Sequence, residues 1–240
     1  YTVNGTGAPL ILLHGGGQIK QDWHKLGYVT RLSDFRVIAV DLRGNGESGM
    51  PDHEGAYVIE RQIEDVLAVA DACDVDQFAL WGFSYGANVG RYLAAWSGRV
   101  TRFVMGGIPF GSATPGTWGR SIREALEKWT PILTAQREGT LELTTLPKDD
   151  QEHLADPHLA RWMAVFQGMV SWPDVNPEDL RCPTLLVAGS ESLSYQELLM
   201  DQLDAIKRAG VQVEIFDGLD HMQEFTQMDL VLPVVQEFLR

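Results

Sequence analysis

Six short apolar runs recur along this chain, separated by amphipathic stretches, and that alternation limits its fold more than any other feature. The runs are Leu10 to His14, Arg36 to Asp41, Phe78 to Trp81, Arg102 to Gly106, Thr184 to Gly189 and Val211 to Phe216. Strand-length runs alternating with helix-length stretches are the sequence pattern of a parallel sheet covered by helices, so the predicted class is α/β. Between runs, Tyr57 to Cys73 places Val58, Ile59, Ile63, Val66, Leu67 and Ala70 near helical spacing, with Glu60, Arg61, Glu64 and Asp65 on the other side. That pattern predicts a helix packed on the sheet.

Residues 112–176 break the rhythm. They carry two helical patches, Arg120 to Gln136 and Asp156 to Gly168, and no convincing strand. The expected organisation is therefore a core of residues 1–111 and 177–240 with a helical insertion at 112–176. Trp118, Trp129, Trp162, Met163, Phe166, Met169 and Trp172 give the insertion large apolar side chains. Most are expected to pack internally, and some to face the surface that the insertion covers. After Pro183 the alternation resumes and ends in a helix from about Asp229, with Pro233 expected in its first turn, where a missing N–H costs little.

Composition narrows the partners. Of 240 residues 45% are hydrophobic and 22% charged, enough apolar material for a sizeable core and too much for a disordered chain. Lys and Arg number 19 against 33 Asp and Glu, a formal charge of −14, and no basic patch offsets it, which argues against nucleic acid. The longest apolar runs, such as Ala8 to Leu13 and Leu230 to Val235, fall far short of the roughly 20 residues that span a bilayer, so no membrane is expected. Cys73 and Cys182 stand alone, with no second thiol or histidine at metal-ligand spacing, which suggests neither disulfides nor zinc and fits a reducing, cytoplasmic compartment. The opening Tyr1-Thr2-Val3-Asn4-Gly5 carries no signal-peptide pattern and reads as a trimmed start, the second half of a hairpin with Tyr1 to Val3 at a sheet edge. No exposed apolar stripe assigns an oligomeric state.

Three segments carry chemistry. Gly82-Phe83-Ser84-Tyr85-Gly86 follows an apolar run and precedes a helical stretch, Ala87 to Trp96, so its GxSxG pattern sits where a strand turns sharply into a helix. A serine held in that turn is exposed and strained, and its neighbours two before and two after must be small to avoid collision. Leu12-Leu13-His14-Gly15-Gly16-Gly17 closes the first run, and a glycine run at a strand end leaves backbone N–H groups free to hold an oxyanion. Gly16 N–H, or alternatively Gly17, together with Tyr85 N–H are the expected donors. The loop has neither the GxxxxGK[ST] nor the GxGxxG pattern of a nucleotide site. Asp41-Leu42-Arg43-Gly44-Asn45-Gly46-Glu47-Ser48 ends the second run as a tight loop, with Arg43 expected to brace loops.

His-Gly after one strand, DxRGxGxS after the next, GxSxG after the third and a late Gly218-Leu219-Asp220-His221 resemble the alpha/beta-hydrolase family in that family's chain order. The resemblance covers essentially the whole chain and implies that fold, with residues 112–176 as the helical cap such enzymes insert after their sixth strand. It implies His221 as general base, and the run Val211 to Phe216 ahead of it agrees. His14 is expected to be structural beneath the glycine loop, and His24, His53, His153 and His158 to lie at the surface.

The acid departs from the pattern. Family members usually place an aspartate three residues after the glycine ending the penultimate strand, where Gly189-Ser190-Glu191-Ser192 puts a serine. Glu191 is the nearest carboxylate and the leading candidate. Ser192, or a water in its place, and another carboxylate stay open. Asp220 adjoins His221 and is poorly placed to reach it, Asp217 is more distant, and Gly107-Ile108-Pro109-Phe110, the other position some relatives use, offers no carboxylate.

The resemblance thus implies a serine hydrolase with Ser84 as nucleophile, needing no metal or organic cofactor and acting on a small molecule. An apolar cap favours a small to medium, largely hydrophobic ester or lactone, with Gly17, Trp118, Trp129, Trp162 and Phe166 in the substrate wall. Carbon–carbon bond hydrolysis or a lyase reaction on the same machinery, a cofactor-free perhydrolase, and a ligand-binding or receptor-like relative with weak turnover are the alternatives. Haloalkane or epoxide opening is disfavoured, because those relatives carry aspartate where this chain has Ser84.

Overall fold

A computed structural model describes residues 1–240. The chain runs β1 (Thr2–Asn4), β2 (Ala8–Leu13), α1 (Lys20–Lys25), α2 (Tyr28–Arg31), β3 (Phe35–Val40), α3 (Ile59–Ala72), β4 (Phe78–Phe83), α4 (Tyr85–Trp96) and β5 (Val100–Gly106). It continues through α5 (Gly116–Arg137), α6 (Lys148–Leu154), α7 (Leu159–Val170), β6 (Thr184–Gly189), α8 (Met200–Arg208), β7 (Gln212–Phe216), α9 (Gln223–Thr226) and α10 (Met228–Leu239).

The strands form one seven-stranded sheet in the order β1-β3-β2-β4-β5-β6-β7. All neighbours are parallel except β1, which pairs antiparallel with β3 at the sheet edge, Val3 opposite Ile38. The architecture is the alpha/beta hydrolase fold. Alternate residues of each central strand enter different cores. Ile11, Leu13, Ile38, Leu80, Phe103, Met105 and Leu186 pack on the side of α3, α4 and α8. Leu10, Leu12, Val37, Trp81, Val104 and Leu185 pack against α1, α2, α9 and α10. Both faces of the sheet are thus dry, which is why the runs read as continuously apolar.

Because six strands are parallel, the loops after β2 to β7 lie along one edge, where chain reversals cluster side groups into a crevice. Two of these ends, after β2 and β3, are braced from below by three side chains. His14 is fully buried, donating from Nδ1 to Gly15 O (2.8 Å) and accepting Leu42 N–H at Nε2 (3.1 Å), so it ties the loop after β2 to the loop after β3. Asp41 accepts N–H groups of Lys20 (2.7 Å) and Glu47 (3.0 Å) and pairs with the buried Lys20 ammonium. Arg43 makes a two-bond fork with Asp65 of α3 (2.8 and 2.7 Å), so it braces its loop against a helix rather than against another loop.

Between β5 and β6 the chain leaves the sheet, forms α5, α6 and α7, and returns. Gly111 and Val175 exchange backbone hydrogen bonds of 2.8 and 3.2 Å, closing the base of this excursion. Ile122, Leu126, Trp129 and Leu133 line one face of α5 at spacings of three and four, and pack with Leu154 and Met163 into a small core of their own. Two sequence expectations need correction. Trp129 belongs to that internal core, because its helical spacing turns it toward α6 and α7. Pro233 lies in the interior of α10, whose first residue is Met228, rather than in its first turn.

Candidate active site

Ser84 occupies the turn between β4 and α4 with φ 51° and ψ −113°, a conformation that L-residues adopt only under constraint. The surroundings enforce it. A Cβ on Gly82 would lie 2.5 Å from Gly86 O, and one on Gly86 would lie 2.3 Å from Leu13 O, so the strand and helix approach too closely for any side chain at either place.

His221 Nε2 and Ser84 Oγ are 3.0 Å apart, although 137 residues separate them. The imidazole stacks on Phe83 at 5.0 Å between centroids, and Phe83 stacks in turn on Phe225, which fixes the ring plane. On its far side, His221 Nδ1 lies 3.2 Å from Glu224 Oε2, and Glu224 Oε1 accepts the N–H of Gly189 at 2.8 Å. An ionised carboxylate only accepts, so Nδ1 carries the proton and Nε2 is left to accept from the Ser84 hydroxyl. The Glu224 side chain is 1% exposed, against 38% for His221. Gly107, at φ 76°, backs this pair: a Cβ there would sit 2.4 Å from Glu224 Oε2 and 2.6 Å from His221 Cε1.

The structure therefore brings Glu224, and not Glu191, to the histidine. Glu191 lies at the surface, where Oε2 accepts from Gln196 Nε2 at 3.3 Å. Ser192 is buried, but its Oγ faces Ser194 Oγ (3.3 Å) and Tyr195 N–H (3.4 Å), where it starts a π-helical turn, Tyr195–Leu199, that leads into α8. Asp217 accepts from Ser190, and Asp220 is held by Gln223. A sequence signal for Glu224 did exist. Asp220-His221-Met222-Gln223 is a D-x-x-Q capping box, and its two bonds form: Gln223 N–H to Asp220 Oδ1 at 2.8 Å and Asp220 N–H to Gln223 Oε1 at 2.9 Å. A helix starting there puts His221 and Glu224, three apart, on one face.

Tyr85 N–H opens α4, and it and Gly16 N–H have no acceptor within the protein. The first turn of a helix leaves such donors by geometry, and the helix dipole adds to their pull on negative charge. Both residues line a cavity of about 440 Å³ that also reaches Ser84 and His221. Its far wall comes from the insertion: Trp118, Trp162, Val165, Phe166 and Met169. Trp129 does not reach the cavity, and Gly17 is not in its wall either, lying instead beneath the Trp162 ring. Arg91 and Asn88, also in the wall, carried no sequence expectation. No three His, Cys, Asp or Glu side chains converge as metal ligands would. No helix is long and apolar enough to cross a membrane.

Residues 8–157 match the family described as alpha/beta hydrolase fold, and the chain belongs to that family. A proline iminopeptidase from Lactobacillus acidophilus is 23% identical over 268 aligned residues, covering 97% of this chain and 90% of its own. Epoxide hydrolase 4 from Mus musculus is 34% identical over 90 residues, but the match takes in 37% of this chain and only 24% of that protein. Among solved structures, the enol-lactonase from Burkholderia xenovorans LB400 superposes with a TM-score of 0.72 at 21% identity, covering 99% of this chain and 95% of that one. The epoxide hydrolase VrEH1 from Vigna radiata gives 0.69 at 20% identity, covering 98% and 92%. At these identities the superpositions speak for the fold.

Proposed function

We propose that the protein is a serine hydrolase that cleaves a small to medium, largely apolar ester or lactone through an acyl-enzyme on Ser84. The observation that carries this reading is the line Ser84 Oγ, His221, Glu224, with 3.0 and 3.2 Å links, facing a cavity also lined by Gly16 and Tyr85, whose N–H groups have no acceptor in the protein. Ser84 Oγ attacks the acyl carbonyl as His221 Nε2 takes its proton, and the new C–O bond leaves negative charge on the former carbonyl oxygen. Gly16 and Tyr85 N–H hold that charge, and a donor of this kind lowers the barrier by about 3 to 4 kcal/mol. The tetrahedral centre collapses as the imidazolium returns its proton to the leaving alkoxide. Water then repeats the sequence on the acyl-serine, releasing acid and free Ser84. Glu224 keeps the Nδ1–H tautomer and stabilises the imidazolium.

A serine at the elbow supports acyl transfer over the alkyl transfer for which epoxide-opening members need a carboxylate. Residues 112–176 act as a cap whose apolar wall selects the acyl chain, and a small molecule of the cytoplasm fits both the cavity and the unpaired cysteines. Ser84→Ala is expected to abolish p-nitrophenyl butyrate hydrolysis and labelling by a fluorophosphonate, with circular dichroism unchanged. Turnover above about a thousandth of the parent rate would move the nucleophile elsewhere. A ligand-binding protein without turnover would leave the fluorophosphonate unreacted.

A further inference from the structure

One charged group in the cavity wall has no part in acyl transfer. Arg91 is fully buried, yet only its Nη1 is satisfied by the protein, donating to Pro109 O at 3.2 Å. Its Nε and Nη2 have no acceptor, and no carboxylate forms an ion pair with it. The guanidinium lies near the face of Tyr92, with 5.2 Å to the ring centroid, which offers some compensation for the charge but no acceptor for the two orphan donors. Burial pulls Arg91 below its ordinary pKa, outweighing the opposing attraction of Tyr92 and of Asp174, which forms no ion pair with it. Lys20, almost as deeply buried, pairs with both Asp41 and Glu47, whereas buried Arg161 also lacks an ion pair and rests on Gly44 O and the Trp162 ring.

The placement of Arg91 relative to the nucleophile follows from α4. Ser84, Asn88 and Arg91 stand at i, i+4 and i+7, one stripe of the helix, and all three line the same cavity. Seven residues of helix span about 10 Å, and side chains lean back toward the helix N-terminus, so the guanidinium lies within about that distance of Ser84. Asn88 stands between them on the stripe, and Val165, Phe166 and Met169 of α7 add apolar surface to the same cavity, whose wall also includes Glu197, held by Thr117.

We propose that Arg91 is the carboxylate-binding residue of this site, and that the substrate is an acyl compound carrying a carboxylate several methylenes from the carbonyl that Ser84 attacks. This deepens the hydrolase reading and rests on it. Two orphan donors of one guanidinium match the two oxygens of a carboxylate, and the ligand supplies the direct ion pair that the fold leaves unmade. The apolar side chains of Val165, Phe166 and Met169 then hold the methylene chain, which makes the cavity selective for length as well as charge.

The test pairs mono-4-nitrophenyl adipate with 4-nitrophenyl hexanoate, which differ by the terminal carboxylate. Wild-type kcat/KM is expected to be at least tenfold higher for the adipate ester, with most of the difference in KM. In Arg91→Gln that ratio is expected to fall at least tenfold, and Arg91→Lys, which keeps the charge but not the fork, is expected to restore part of it. Independently of turnover, free adipate should raise the Tm of Ser84→Ala and fail to do so in the Ser84→Ala, Arg91→Gln double variant. An unchanged ratio in a folded Arg91→Gln overturns the proposal. If Arg91→Gln does not fold, a wild-type ratio at or below one together with no adipate shift overturns it. Fluorophosphonate labelling separates the two readings: a labelled Ser84 with no carboxylate preference defeats only the Arg91 assignment, whereas an unlabelled Ser84 with an adipate shift defeats the hydrolase reading and leaves the anion site standing.

Discussion

The loops after β6 and β7 leave the same edge of the sheet side by side, and both carry a carboxylate, yet only one delivers it to His221. In the first, Glu191 extends into solvent and Ser192 turns inward to begin a helical run. In the second, a capping box starts a helical turn at once, and Glu224 returns along it to the imidazole three residues back. A position in a motif is thus only one way of aiming a carboxylate. A short helix anchored at its start aims it as well, and burial of Glu224 against Gly189 N–H fixes its second oxygen.

The sharpest way to break this comparison is to neutralise each acid in turn. Glu224→Gln keeps the shape and removes the charge behind His221, so kcat should fall by about 10³- to 10⁴-fold, while Glu191→Gln should stay within about twofold. Equal, small losses in both would remove Glu224 from the reaction. Gly107→Ala tests the backing of the pair: its methyl must displace Glu224 or His221, and φ 76° disfavours alanine as well. We expect a kcat loss of about 10- to 100-fold, comparable with the effect of a misplacement near 1 Å, with the fold retained by circular dichroism.

Smaller effects sharpen the contrast between the two helix starts. Asp220→Ala removes one half of the capping box and should cost about 1 kcal/mol of stability, together with a few-fold loss of kcat as the turn bearing His221 and Glu224 loosens. Ser192→Ala should cost a similar stability, a Tm shift of about 2 to 4 °C, with kcat unchanged. A rate loss in Ser192→Ala would restore the loop after β6 to the site.

The loops after β2 and β3, tied by His14, give the mildest perturbation, and it is one of pH. His14 is held neutral by burial, which lowers its pKa from 6.5 despite the opposing bond to Gly15 O. Above the unfolded value, neither state binds the proton and the contribution to stability is complete. As pH falls below it, the unfolded chain takes up the proton first, and stability declines until the folded value is passed. Urea unfolding of the wild type should therefore weaken between about pH 7 and pH 5, and His14→Gln should flatten that slope, whatever its own starting stability.

The parts legible in the sequence were those where a local pattern and the fold make the same demand. The central strands are buried on both faces, so their apolar runs stood out, and Ser84 announced itself because Gly82 and Gly86 are forced by close approach. His221 followed from chain order. Glu224 escapes motif position, because the capping box of Asp220 and Gln223 aims it rather than its place in the chain order. Trp129 was misassigned because residues turned into the insertion's own core and residues turned toward the cavity have the same composition, and only the packing of α5 on α7 separates them. Arg91 left no trace, since a charge on the stripe of α4 that holds Ser84 and Asn88 becomes conspicuous only when its partners are counted in three dimensions.

The paired backbone bonds between Gly111 and Val175 have an evolutionary consequence. The chain departs and rejoins the body through neighbouring residues, so the entropy of closing that excursion depends only weakly on its length, about 0.6 kcal/mol for each doubling. Longer, shorter or wholly different excursions could be exchanged at this doorway while the reacting groups on the sheet edge stay as they are. Such an arrangement lets a lineage change its diet without rebuilding its chemistry.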